Sequence, residues 1–81
     1  MKPKLQFLDK YKGCKVSIKM DDGNVFVGTL ENEDWAFLYL TECHIKTPRS
    51  RKYNSRPAAV VRKLFIQNLV VIEYPKGGDV S

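Results

Sequence analysis

The segment KVSIKMDDGNVFVGTL, residues 15–30, has little freedom in what it can form. Val16, Ile18 and Met20 alternate with Lys15, Ser17 and Lys19, the period of a strand with one buried face. Asp21, Asp22, Gly23 and Asn24 then read as a hairpin turn, because Asp-Gly readily takes the positive φ that tight hairpins need. A second strand runs from Val25 to Leu30. Gly28 inside it predicts a sharp bend or a close backbone approach, since glycine otherwise weakens a strand.

On either side of this hairpin the chain continues in short elements. Leu5, Leu8 and Tyr11, with Phe7 beside them, are spaced for a short amphipathic helix that Gly13 ends. Beyond the acidic stretch Glu31 to Asp34, a third strand is expected from about Trp35 to Ile45, with Ala36, Leu38 and Leu40 on one face and Phe37 and Tyr39 on the other. A basic loop follows, from Lys46 to about Pro57. Val60 to Ile66 and Leu69 to Tyr74 read as a fourth and a fifth strand separated only by Gln67 and Asn68, and their nearly continuous apolar character predicts that both faces are covered. The expected fold is mainly β: a short N-terminal helix and a five-stranded, strongly bent antiparallel small barrel over residues 1–76, with 77–81 a flexible tail. The fifth strand carries no internal proline or lysine, so it would offer an unprotected apolar edge whose remedy is pairing with another copy. Leu64, Ile66, Leu69, Val70 and Ile72 are the expected seam residues.

Composition narrows the function. The chain has 81 residues and a net charge of +5, enough for one compact domain with a small core. Six of its nine acids lie between Asp21 and Glu42. From there to Glu73 there is no acid, while Lys46, Arg49, Arg51, Lys52, Arg56, Arg62 and Lys63 supply half of the basic residues. Such a segment either keeps a loop solvated or meets an anionic partner, most simply nucleic acid through Arg49, Arg51, Lys52 and Arg56, with Tyr53 as an aromatic among them. Cys14, Cys43 and His44 are too few and too scattered for a zinc site, so no metal and no cofactor is expected and the thiols are read as buried and free. One histidine, no paired nucleophile and base and no phosphate loop argue against an enzyme. No apolar run reaches the roughly 18 residues of a membrane span, and the N-terminus lacks a secretion signal, so a cytoplasmic protein without a membrane partner is expected.

The order of these features resembles the Sm and Sm-like proteins. Helix, strand pair KVSIKMDDGNVFVGTL, acidic turn, variable loop and closing FIQNLVVIEY correspond over about residues 3 to 75. The absence of long tails looks more like the archaeal members. The resemblance implies a bent five-stranded barrel capped by the helix and a ring, usually of seven subunits and in some cases stacked, joined by strand pairing. It also implies binding of U-rich single-stranded RNA at the pore, in RNA processing or as an RNA scaffold.

The two short motifs that carry RNA binding in that family are degenerate here. The first has Asp, two residues, then Met-Asn, and the segment from Gly28 to Leu40 is one residue short of it. Anchored on Leu40, which keeps the third strand in phase, Glu33 takes the Asp position, Trp35 the base-stacking position and Phe37 the Asn position. Anchored on Gly28, Asp34 takes the Asp position instead. The second motif, Ile-Arg-Gly, is matched by Ile66, Gln67 and Asn68. Asn tolerates the left-handed conformation a glycine would supply, whereas Gln67 loses the charge and planar fork of arginine. The resemblance thus implies a pore site of Trp35, Phe37, Gln67 and Asn68 that stacks bases without strong uridine selectivity. Trp35 is either a stacking platform or a core or interface aromatic. A ring that has lost its uridine site and serves protein partners is the competing reading.

Overall fold

A computed structural model of the chain describes residues 10–75. Five strands, β1 Lys15–Met20, β2 Val25–Glu33, β3 Phe37–Lys46, β4 Asn54–Arg62 and β5 Ile66–Glu73, form one antiparallel sheet in the order β4-β3-β2-β1-β5, with a 3-10 turn over Lys63–Phe65. The helix expected from Leu5, Phe7 and Leu8 lies outside the described residues, apart from Lys10 and Tyr11, which are helical. The expected C-terminal tail also lies outside them.

The hairpin forms as the sequence predicts. Gly23 takes φ 92°, its amide donates to the Met20 carbonyl at 3.0 Å, and Asp22 Oδ1 accepts the Asn24 amide at 2.9 Å. Lys15 pairs with Thr29 and Lys19 with Val25, so Val16, Ile18 and Met20 all point into the core. They meet Leu30, Leu38, Leu40, Cys43 and Val61 there, with Cys14 beside them. Gly28 is where β2 bends: a Cβ there would sit 3.0 Å from both the Thr41 carbonyl oxygen and Cys43 Sγ, and the β2–β3 register slips at this point. A bulge of this kind increases local twist, which is what curls a small sheet over one core.

Several expectations need correction. The sheet is bent but not closed into a barrel, since β4 pairs only with β3 and β5 only with β1. The two apolar strands are therefore edges, and their outer faces are not covered within the chain: Val60, Val70 and Ile72 are exposed. β4 begins at Asn54, so Arg56 and Pro57 belong to a strand and the basic loop shrinks to residues 47–53. An edge strand accommodates proline because one side of its backbone needs no ladder partner. The turn between β4 and β5 is Lys63–Phe65, not Gln67 and Asn68, which lie within β5. Among the described residues the one non-glycine with positive φ is Glu42, at 51°, so Asn68 is not left-handed.

Candidate nucleic-acid interface

The β2–β3 connection is built around one carboxylate. Asp34 Oδ1 accepts the amides of Ala36 and Phe37 at 2.9 and 2.7 Å, and Oδ2 accepts the Tyr39 hydroxyl at 2.6 Å. Asp side chains favour turns because they can satisfy backbone amides two and three residues on. The Tyr39 hydrogen bond, reinforced by the two amides and the nearby Lys63 charge, holds the Asp34 carboxyl below its ordinary pKa, and the same bond raises that of Tyr39. Asp34 is thus the acid that orders this turn.

Trp35 lies in the turn rather than on β3, and 71% of its surface is exposed. The core alternative for this residue is thereby excluded. Glu33, only 5% exposed, pairs instead with the ammonium of Lys63. The Lys63 amide also donates to the Ala36 carbonyl at 2.8 Å, so side-chain and backbone bonds together clamp the β2–β3 turn to the β4–β5 turn. Between the two turns lies a recess of about 360 Å³ lined by Trp35, Ala36, Arg62, Lys63 and Leu64. Leu64 is 73% exposed, and the Arg62 guanidinium stacks over the Phe65 ring at 5.4 Å, a cation–π contact that limits its freedom.

The sequence-predicted pore residues do not all gather here. Phe37 is half-buried and closes the turn through its backbone, its carbonyl accepting the Asp34 amide at 2.9 Å. Gln67 and Asn68 are exposed on β5, Asn68 opposite Lys19 and Gln67 at a register slip, and neither lines the recess. Arg62 and Lys63 were missed as partners of Trp35. Their signal was the Arg-Lys pair that interrupts an otherwise apolar run, where a turn was possible.

At the other end of β3 and β4 are the loop cations. Arg49, Arg51 and Lys52 lie in the 47–53 loop and Arg56 on β4, all but the half-buried Ser50 among their loop neighbours being exposed from Arg49 to Arg56. Of the expected seam residues, Val70 and Ile72 are exposed on the free edge of β5, Ile66 and Leu69 pack partly against the core, and Leu64 joins the Trp35 recess. Burial raises the thiol pKa of both Cys14 and Cys43, which are free. Among the described residues no helix is long and apolar enough to cross a membrane.

No family model and no curated protein matches the sequence. Solved structures do match the fold. A heptameric archaeal Sm protein superposes with a TM-score of 0.68 at 21% identity, over 80% of this chain and 94% of that one. The SmAP1 heptamer of P. aerophilum gives 0.67 at 21% identity, over 80% of this chain and 86% of its own. A chain of the NatC complex bound to CoA gives 0.68 at 14% identity, covering 86% of this chain and 90% of that one. The chain has the fold of the Sm proteins.

Proposed function

We propose that the chain is the subunit of an Sm-like ring that binds single-stranded RNA in RNA processing or as an RNA scaffold. The observation that carries this is Trp35, exposed on a turn that Asp34 hydrogen-bonds together and that Lys63 fastens to the β4–β5 turn. An exposed indole face beside Arg62 offers a base a stacking surface and its phosphate a counter-charge. Stacking of this kind is worth about 1–3 kcal/mol per base and does not depend on base identity. Arg62 supplies the positive charge that Gln67 lacks. No side chain of the recess reproduces the amide of the family's Asn, so the site stacks bases with little preference for uridine. The cations of the 47–53 loop add phosphate attraction. Pairing of β4 from one copy with β5 of the next would cover both free edges and close a homo-oligomeric ring, as in the heptameric Sm proteins whose fold it shares.

A second reading has its own support. Trp35 and Leu64 together make an exposed apolar patch, and a chain in the NatC complex has the same fold, so a protein partner at this face is the alternative. One variant separates them. Trp35→Ala should keep the assembly and lower affinity for oligo-U and oligo-A alike by ~10-fold or more, the equivalent of ~1.4 kcal/mol per site. Unchanged affinity for both oligonucleotides in intact assemblies would favour the protein-partner reading.

A further inference from the structure

A second aromatic surface lies at the far end of the same two strands. Tyr53, 48% exposed, immediately precedes β4, and with Val27 and His44 it lines a shallow recess of about 270 Å³. The sheet register explains why these residues meet. Val27 of β2 pairs with His44 of β3, and His44 pairs with Ser55 of β4, so the three positions form one row beside Tyr53. His44 Nδ1 and Ser55 Oγ are 3.1 Å apart, which fixes the imidazole as one wall. Gly23 supports the loop from the other side: a Cβ there would sit 2.8 Å from Pro48 Cγ, so hairpin and loop are in close contact.

The charged residues next to Tyr53 in the sequence are of one sign. Arg51 and Lys52 precede Tyr53 and Arg56 follows it, and all three are exposed. Among the described residues none of the three forms an ion pair, and Arg56 Nη1 donates only to the Ser55 carbonyl, at 2.9 Å. An open aromatic recess beside a loop that carries unpaired cations has the chemistry of a single-strand platform: π-faces for bases and guanidinium or ammonium groups for phosphates. It shares no residue with the Trp35 recess. The eight residue steps of β3 from Phe37 to Ile45 separate the two ends by about 26 Å along the strand.

We propose that Tyr53, His44 and Val27 form a second base-stacking site for single-stranded nucleic acid, fed by Arg51 and Lys52 of the adjoining loop and independent of the Trp35 site. It rests on the reading of the chain as a single-strand binder, but not on the Trp35 turn being the place of binding. An assembly with both sites engages two strands, or two separated segments of one strand, per subunit.

The lone tryptophan makes the two sites separable. Its fluorescence reports the Trp35 turn, while the anisotropy of a labelled oligo-A of about 4 nucleotides, the lower end of known single-strand site sizes, reports all binding. The proposal expects Trp35→Ala protein to retain an oligonucleotide-binding phase, and Tyr53→Ala to weaken that phase by ~10-fold while leaving the Trp35 fluorescence titration unchanged. Tyr53→Phe should keep it. Replacing Arg51 and Lys52 by Ser should flatten its salt dependence by roughly 0.7 log units per decade for each lost contact. If Trp35→Ala abolishes all binding, or if Tyr53→Ala changes nothing in protein of unaltered mass and Tm, the second site does not exist. Loss of the fluorescence response in wild type with the Tyr53-dependent phase intact would overturn the Trp35 reading and leave this one standing. Equal binding of a duplex of the same length, insensitive to Tyr53→Ala, would reduce the loop to charge alone and overturn the proposal.

Discussion

At the scale of single residues, Asp34 organises the site. Its carboxylate takes three hydrogen bonds that the neutral acid could not all accept, which is why its pKa is lowered. A group whose folded pKa is depressed contributes stability above its unfolded value, near about 3.9 for Asp, and loses it as pH falls through the folded value. Wild type should therefore lose Tm on acidification partly through this turn. Asp34→Ala should lower Tm at neutral pH, and the gap between the two proteins should narrow steadily below about pH 4. Melting curves across that range check it, and a gap independent of pH would show that the charge of Asp34 is not what orders the turn. Trp35 sits in the turn that this device orders and is itself largely exposed.

Among elements, the join between the two turns is the critical one. The Glu33 side chain is fully buried, so its pairing with Lys63 is sheltered from solvent, unlike an exposed ion pair. Lys63→Met should cost ~3–5 kcal/mol by leaving a buried carboxylate without its cation, and adding Glu33→Leu should recover most of the loss. Chemical denaturation of the single and double variants tests this, and a single variant costing under ~1 kcal/mol would contradict the clamp. The elements themselves were unequally legible. Lys15 to Leu30 could be read directly, because alternation, an Asp-Gly turn and an interior glycine all pointed the same way. Trp35 was assigned to β3 because Trp35, Phe37 and Tyr39 keep a period of two, and that period continues into a turn made by one side chain bonding to backbone. The start of β4 was hidden by Arg56 and Pro57, which read as loop yet are tolerated on an edge. The polar pair Gln67 and Asn68 looked like a turn because apolar residues flank it, whereas its polarity reflects exposure on β5. The site was half legible: Trp35 could be singled out as the lone indole, but its contact with Arg62 to Leu64 depends on how the sheet bends, which no local pattern encodes.

The molecule as a whole is an unfinished structure. Its core is small and one-sided, and each end of the sheet presents a strand with a free edge and exposed valine or isoleucine side chains. Edges of this kind are normally blocked by charge, proline or a covering element, and β5 carries no internal proline or lysine and only Glu73 at its end. Pairing β4 with β5 between copies would satisfy both edges with the same antiparallel geometry and repeat the Trp35 and Tyr53 recesses around an axis. The claim on which the rest depends is that assembly. Light scattering of the purified protein should give one species at a discrete multiple of the 9.3 kDa chain, and Val70→Pro, which removes a backbone donor from the edge strand, should dissociate or unfold it. A wild-type mass of 9.3 kDa, or an assembly of unchanged mass in the proline variant, would contradict the ring.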